Sequence, residues 1–373
     1  MLLRINNEFA DIWLVSEDGG EHKTYCYGGT RSVPVKTDDQ LVENILNYLG
    51  KYESGVKNKL INNAIREGVF NKFSDRIPEQ FYQSNVGGGR CVFRPKNEDI
   101  EAIIDDPRNE KFEYTINSIL KSVGGALNQF DGELKLTPDF GRFAGVADSL
   151  HEYTEHVLGI RCEDGGCGGK ASYTSTGINA AIEYFLEKKG RDSRIVLIGA
   201  DGACGVGVFD YLLAKKYNLI GVSDLNYTDV QKHGIPVLGS QTGKFTDECL
   251  INADIIVATT VGDEFLNTNL DAINDGTIVL LAHNHCLPID ARCVELINKM
   301  SERNILVLPG QFLTFGGALT SRIEWFWRLC HKGYFDKQLA HDAVYHMEKQ
   351  LLRKMYDKTD DVNPLELILS EKI

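Results

Sequence analysis

The sequence lacks a long hydrophobic run and any excess of positive charge. Its 373 residues include 40 Lys and Arg against 53 Asp and Glu, so the net charge is −13. Nucleic-acid binding requires a basic face, and no apolar run approaches the roughly 20 residues that span a bilayer. The N-terminal segment MLLRINNEFADIW also lacks the sustained apolar stretch of a signal peptide. We therefore expect neither a nucleic-acid partner nor a membrane partner.

The cysteines lack the pairing pattern of a disulfide framework. There are nine, an odd number, and they are scattered singly along the chain. In a large chain without an export signal, this pattern is typical of reduced thiols, most of them buried as small hydrophobic residues. We expect a cytoplasmic protein.

The second half of the chain contains short, continuously apolar runs separated by helical or loop sequence. Continuous rather than alternating apolar strands predict a parallel sheet that is covered on both faces, and hence an α/β fold. The runs are SRIVLIGADG, NLIGVSD, ADIIVATT, GTIVLLAHN and NILVLPG.

The first half contains strand-like runs and one unusual glycine cluster. The runs ADIWLVSEDG and EHKTYCYGGTRSVPV flank a Gly-Gly pair and predict a β-hairpin. Further on, NVGGGRCVF places three glycines directly before Arg90. Such a cluster indicates a turn, or a ligand close to the main chain.

The stretch VLIGADGACGVG follows a strand and opens a helix, as a dinucleotide-binding loop does. The predicted cofactor contacts are Gly199, Gly202, Ala203, Cys204 and Gly205, with backbone amides near a pyrophosphate. The G-x-G-x-x-G pattern is imperfect, because anchoring it on the last two glycines leaves alanine in the first position. The alternative is that these glycines serve only strand–helix packing.

A carboxylate supports the nucleotide interpretation. Asp224 ends the next strand, 19 residues beyond Gly205. At this place a carboxylate accepts hydrogen bonds from the ribose hydroxyls and repels a 2′-phosphate. The sequence therefore predicts NAD rather than NADP.

Several stretches between Gly28 and about Gly317 together resemble the leucine/phenylalanine/valine dehydrogenase branch of the amino-acid dehydrogenases. YCYGGTRSVP is similar to the family's GGTR segment, SGVKNK to its RGMTYK, and GGGR stands where the family has GGGK. LTPDFGRFAGVADSLHEYTEHVLG resembles the segment around the family's catalytic aspartate. SYTSTG and LLAHNHCL resemble segments beside the nicotinamide.

The resemblance implies roles for particular residues. Lys59 would hold the substrate carboxylate, and Asp139 would be the catalytic acid–base residue. Thr174 and Asn284 would lie beside the nicotinamide, Asn284 also contacting substrate. From the residues alone, Lys59 could instead be a solvated helix lysine, and Asp139 a turn or cap residue.

The resemblance also implies an overall architecture and a reaction. An outer substrate domain (residues 1–165, completed by C-terminal helices in about 320–373) would face a Rossmann NAD-binding domain (166–319) across a cleft. The reaction would be reversible oxidative deamination of an amino acid to a 2-oxo acid and ammonia. A homodimer or higher homo-oligomer is expected.

Arg90 departs from the family pattern. A lysine can act as a general base when its surroundings lower its pKa, but a guanidinium keeps its proton. If Arg90 occupies the lysine's position, it acts in catalysis as a clamp on a carboxylate or an oxyanion. The alternative is a surface charge.

His283 and His285 lie two residues apart at a strand end, next to Cys286. This spacing suggests a metal site, but no second ligand cluster accompanies it. We predict that both histidines line the substrate pocket and that no metal is bound.

Two other functions remain open. A diverged relative could reduce an imine or carry out another modified reaction in a biosynthetic pathway, consistent with Arg90 and the two histidines. A non-catalytic NAD-binding sensor is also compatible with the loss of the lysine.

Overall fold

A computed structural model describes residues 1–16, 25–138, 145–239, 245–260, 264–284, 286–331, 333–357 and 362–372. The chain forms two compact units. The first comprises Met1–Gly169 and Ala318–Leu339, and the second comprises Lys170–Gly317 and Ala340–Ile373. Within the described ranges, no helix has both the length and the apolar character needed to cross a membrane.

Both strands and helices are distributed along the whole chain. The strands are β1 (Leu2–Asn6), β2 (Ala10–Ser16), β3 (Tyr25–Ser32), β4 (Val86–Pro95), β5 (Leu134–Thr137), β6 (Ile195–Ile198), β7 (Leu219–Ser223), β8 (Gln231–Lys232), β9 (Ile235–Pro236), β10 (Ile255–Ala258), β11 (Ile278–Leu281) and β12 (Leu306–Leu308). The α-helices are α1 (Asp39–Leu49), α2 (Val56–Arg66), α3 (Glu79–Gln83), α4 (Glu98–Asp105), α5 (Phe112–Leu127), α6 (Val146–His151), α7 (Ala171–Lys189), α8 (Gly205–Lys215), α9 (Asp247–Leu250), α10 (Ala291–Glu302), α11 (Gly310–Leu313), α12 (Gly316–Cys330), α13 (Lys337–Tyr356) and α14 (Pro364–Leu369). A π-helical segment, Gly50–Gly55, joins α1 to α2, and short 3-10 helices lie at Asn71–Phe73, Asn128–Phe130, Cys162–Asp164, Glu264–Asn267 and Leu270–Ala272.

The first unit is built on a mixed sheet with the order β1-β2-β4-β3-β5. β1 and β2 form an antiparallel pair, β4 runs antiparallel to β2, and β3 runs parallel to both β4 and β5. The predicted hairpin of β2 with β3 is therefore wrong. β4 lies between them. Because β4 is distant from both strands in the sequence, the Gly-Gly turn signal between β2 and β3 could not predict that β4 separates them.

The glycine cluster lies within a strand and is not a turn. Gly87–Gly89 belong to β4, which is buried over almost its whole length. A Cβ atom on Gly88 would lie 2.5 Å from the carbonyl oxygen of Gly50 and 2.7 Å from the amide nitrogen of Gly55. Glycine is therefore required at position 88 because the π-helical segment packs directly on the strand backbone, and a Cβ atom on Gly89 would instead lie 2.3 Å from Cδ1 of Leu134.

The opposite face of this sheet is covered by α5. Its buried side chains recur at three- and four-residue intervals, as expected for an amphipathic helix. They join core residues of the sheet in one hydrophobic cluster; the helical members include Phe112, Ile116, Ile119, Leu120, Val123 and Leu127.

The second unit contains a parallel sheet with the order β12-β11-β10-β6-β7. Every residue of β6, β10 and β11 is buried. The predicted parallel sheet with both faces covered is confirmed, and all five apolar runs form strands. The strand order reverses between β6 and β10, and open α/β sheets bind ligands at such a point, beyond the carboxyl ends of the strands.

The C-terminal helices are divided between the units. The sequence suggested that residues 320–373 complete the outer domain, whereas Ala340–Ile373 belong to the second compact unit. The reason lies in contacts between α13 and α7. His341 stacks on Tyr173 at 4.4 Å, and Lys349 pairs with Glu187 at 2.7 Å.

Candidate functional site

Arg90 is buried and lies against a carboxylate of its own chain. Only 8% of the residue is exposed. Its Nη1 lies 3.0 Å from Oε1 of Glu53 and 3.5 Å from Oγ of Ser54. The buried Nε of Arg90 has no hydrogen-bond partner among the described residues. Arg90 is therefore not a surface charge, and its nearest counterion is internal.

The position of Arg90 depends on two elements that the sequence did not bring together. β4 supplies Arg90, and the π-helical segment supplies Glu53 and Ser54. On β3, a Cβ atom at Gly29 would lie 3.0 Å from Nη1 of Arg90, so glycine leaves room for the guanidinium. Since a guanidinium keeps its proton, this pair places a permanent cation beside a buried carboxylate.

The helix after the π-helical segment carries two lysines with different exposure. Lys59, the residue predicted to hold the substrate carboxylate, is half-buried, whereas Lys57 is only 7% exposed. Glu53 and Lys57 are both buried and four residues apart, a spacing that brings side chains together on a helix. Sequence reasoning missed both residues, although this spacing was a usable signal.

Two predicted site residues lie outside the described residues. They are Asp139, the expected acid–base group, and His285, an expected pocket residue. β5 ends at Thr137, two positions before Asp139.

β5 also carries a perturbed lysine that the sequence did not reveal. The Nζ of Lys135 lies 3.5 Å from Nδ1 of His156 and 5.0 Å from the ring centre of Trp325. Burial, together with the charge of Arg328, lowers the pKa of the Lys135 ammonium to about 8. The first unit therefore contains a lysine whose pKa is lowered towards the neutral range by its surroundings.

In the second unit, the glycine-rich loop follows β6 at the point where the strand order reverses. Gly199 has φ +81, and a Cβ atom on Gly205 would lie 1.9 Å from the carbonyl oxygen of Gly199. These two glycines therefore provide a tight turn and close strand–helix packing, the two features that glycines provide in dinucleotide-binding loops. Gly202, Ala203 and Cys204 lie between them, immediately before α8.

The loop is anchored by hydroxyl groups from neighbouring elements. Thr259, which follows β10, places its Oγ1 2.7 Å from the carbonyl oxygen of Gly199. Ser175 on α7 places its Oγ 2.8 Å from the carbonyl oxygen of Cys204. Its neighbour Thr174, the predicted nicotinamide contact, is half-buried with Oγ1 3.3 Å from the carbonyl oxygen of Lys170.

Asp224 ends β7 and is hydrogen-bonded to the glycine-rich loop. Its Oδ2 accepts from the amide of Asp201 at 2.8 Å, and its Oδ1 accepts from the amide of Asn226 at 3.0 Å. Only 7% of Asp224 is exposed. Burial, followed by the charges of Asp201 and Asp224, raises the pKa of Tyr227 to about 12. The loop and the end of β7 thus bring two acidic residues, Asp201 and Asp224, next to each other.

Asn284 and His283 follow β11. Oδ1 of Asn284 lies 2.8 Å from Oγ1 of Thr314, and His283 is 8% exposed. Cys286 accepts a hydrogen bond from the amide of Gly310 at 3.3 Å, and burial raises its thiol pKa to about 12. Cys286 is therefore a buried structural thiol. Across the described ranges, no group of three His, Cys, Asp or Glu side chains is placed to hold a metal.

No protein-family model matches the chain. The catabolic NAD-specific glutamate dehydrogenase RocG of Bacillus subtilis is 27% identical over 262 residues, which cover 62% of this chain and 59% of RocG. A leucine dehydrogenase of Bacillus cereus is 25% identical over 188 residues, 48% of this chain and 47% of the relative. The chain thus spans about half to three-fifths of the length of these curated relatives.

Solved structures show the same fold over the whole chain. The crystal structure of L-tryptophan dehydrogenase from Nostoc punctiforme matches with a TM-score of 0.66 and 14% identity, covering 100% of this chain and 94% of that one. The fold is therefore a two-domain α/β fold with a Rossmann domain, as in that structure. The predicted distant resemblance to the leucine/phenylalanine/valine dehydrogenase branch of the amino-acid dehydrogenases is confirmed by the low-identity similarity to these glutamate and leucine dehydrogenases. NAD, the predicted cofactor, agrees with the NAD specificity in RocG's name.

Proposed function

We propose that this chain is an NAD-dependent oxidoreductase that acts on the CH–NH2 group of an amino acid, forming a 2-oxo acid and ammonia reversibly. The observation that supports the proposal most directly is the glycine-rich loop at the reversal point of the parallel sheet, hydrogen-bonded to Asp224. The low-identity similarity to amino-acid dehydrogenases points to the same reaction class.

The second unit fits NAD through its main chain and one carboxylate. The amides at the start of α8 suit a pyrophosphate, and any side chain at Gly205 would meet the carbonyl of Gly199. Asp224 would accept from the ribose hydroxyls through the lone pairs that the two backbone amides leave available. Thr174 and Asn284 would contact the nicotinamide. When bound, NAD supplies the hydride acceptor, and the protein positions the reacting groups.

The first unit would hold the amino acid. Lys59 would bind the substrate carboxylate, and Arg90 would act as a second, permanently charged clamp. Asp139 would accept a proton from the substrate amine and return it in the reverse direction. Glu53 would keep the guanidinium in place and balance part of its charge.

A modified reaction, such as imine reduction, is the second candidate. One observation favours it: the position that resembles the family's lysine holds Arg90, which is buried and paired with Glu53. Because a guanidinium keeps its proton, Arg90 cannot remove a proton from water or substrate. Chemistry at this position would then be limited to charge stabilisation.

Turnover distinguishes these functions. We would follow nicotinamide absorbance with NAD and a panel of amino acids, then with NADH, 2-oxo acids and ammonium, and finally with oxo acids and larger amines. Oxidation of an amino acid supports the proposal, whereas turnover only with larger amines supports imine reduction. Tight NADH binding without turnover of any substrate would leave the sensor function.

A variant tests the acid–base role. Asp139→Asn keeps the shape of the side chain but cannot accept a proton, so kcat should fall by about a hundredfold or more with NADH affinity unchanged. Glu152→Gln, an exposed residue at the end of α6, is the matched control and should retain full activity. A near-normal kcat for Asp139→Asn would remove Asp139 from the mechanism.

The expected homo-oligomer is tested by light scattering on the purified chain.

A further inference from the structure

The glycine-rich loop is one residue longer than the dinucleotide fingerprint. In G-x-G-x-x-G, four residues separate the first and last glycines. Here Gly199 has the positive φ of the first glycine, and Gly205 has the close packing of the last, but five residues lie between them. The loop therefore contains an additional residue, and its only charged member is Asp201.

Asp201 is hydrogen-bonded to the residues at the end of β7 that would face the adenosine ribose. The amide of Asp201 donates to Oδ2 of Asp224 at 2.8 Å, and Nδ2 of Asn226 donates to Oδ2 of Asp201 at 2.9 Å. Asp201 is exposed, whereas Asp224 is buried. The longer loop thus places a second carboxylate beside the residue that would contact the adenosine ribose.

We propose that Asp201 is a second determinant of dinucleotide choice, which acts with Asp224 to reject the 2′-phosphate of NADP. The inference rests on the proposed function, since it assumes that the loop binds a dinucleotide. A phosphate monoester carries close to two negative charges at neutral pH, and an exposed carboxylate nearby repels it. NAD has a hydroxyl at this position and is spared that repulsion.

Two other roles for Asp201 make different predictions. If its charge lies close to the pyrophosphate, it weakens NAD and NADP equally, because both contain that group. If it serves only as the hydrogen-bond acceptor of Asn226, its removal changes the stability of the loop without changing the ratio of the two affinities. The ratio of dissociation constants therefore separates the roles.

The experiment is calorimetric titration of the full chain with NADH and NADPH. Asp201→Asn should lower the preference for NADH by about threefold to tenfold, mainly by tightening NADPH binding, and the change should shrink at high salt because Asp201 is exposed. Glu302→Gln, which removes an exposed carboxylate from α10, is the charge-matched control and should leave the ratio unchanged.

A second variant keeps the proposal testable if asparagine alters the loop. Asp201→Lys should tighten NADPH binding beyond Asp201→Asn, since a cation at this position attracts a 2′-phosphate. An unchanged ratio in both variants, or equal tightening of NADH and NADPH, would overturn the role of Asp201 while leaving NAD binding intact. A wild-type chain that binds neither dinucleotide would overturn the proposed function as well.

Discussion

The chain contains two glycine-rich segments, each with one charged residue. The charged residue of the first segment is buried, and that of the second is exposed. In β4, Gly87–Gly89 lie in an ordinary strand, Gly88 leaves room for the π-helical segment, and Arg90 after them is buried against Glu53. In the loop after β6, Gly199 has a positive φ that turns the chain, and Asp201 is exposed. Similar composition thus serves the packing of a helical segment on a strand in one place, and a tight turn in an exposed loop in the other.

The largest expected effect comes from removing the buried cation of the first segment. Arg90→Met leaves the carboxylate of Glu53 buried without this partner, so the free energy of unfolding should fall by about 3–5 kcal/mol. The double variant with Glu53→Met should recover part of that loss, because the carboxylate that Arg90 neutralised is then also removed. Urea unfolding measures both. If Arg90→Met unfolds like the wild type, Arg90 is not the buried counterion that the comparison requires.

A methyl group on the strand tests the packing role of the glycines. Gly88→Ala places its Cβ atom against the backbone of Gly50 and Gly55, and neither can move away as a flexible side chain would. We expect a loss of about 2–3 kcal/mol in unfolding free energy. Gly125→Ala is the control, since its Cβ atom meets nothing within 4 Å and alanine favours the helix. That variant should be slightly more stable than the wild type.

The sequence predicted the second unit better than the first, for a physical reason. Parallel strands buried on both faces, such as β6 and β10, appear as continuous apolar runs and are visible locally. The sheet of the first unit depends on β4 inserting between β2 and β3. No local pattern encodes that pairing.

The same difference between local patterns and distant contacts applies to the candidate site residues. The place of Asp224 at the end of β7 was predictable because the residue ends an apolar run at the fingerprint spacing, and its contact with a ribose stays a prediction. The partner of Arg90 was not, because Glu53 precedes it by 37 residues and meets it only after the π-helical segment packs on the strand. The longer loop at Asp201 was hidden because φ at Gly199 decides which glycine is the first of the fingerprint.

A methyl group on the loop should separate stability from ligand binding. Gly205→Ala brings its Cβ atom within 1.9 Å of the carbonyl oxygen of Gly199, so the backbone of the loop must move to accommodate it. We expect a loss of about 2 kcal/mol in stability and at least a tenfold weaker NADH affinity, measured by calorimetry. Gly88→Ala, measured on its folded fraction, should retain the wild-type affinity. Equal affinities for both variants would contradict the assignment of the loop.

The smallest expected effect concerns Glu348, which contrasts with Glu53: both carboxyl groups are buried, but only Glu53 is paired with an arginine among the described residues. Glu348 on α13 is also fully buried, but neither of its oxygens has a hydrogen-bond partner among the described residues. Burial raises its pKa well above the usual 4.5. The folded protein therefore keeps this proton at pH values where the unfolded chain loses it, and stability declines as pH rises from about 4.5 towards the folded-state pKa.

Glu348→Met removes both the proton linkage and the unsatisfied group, so the free energy of unfolding should rise by about 1–2 kcal/mol at neutral pH. The advantage of the variant should shrink as the pH is lowered towards 4.5. Urea unfolding across this pH range measures the difference, and an advantage that is constant with pH would show that Glu348 does not hold an extra proton in the folded state.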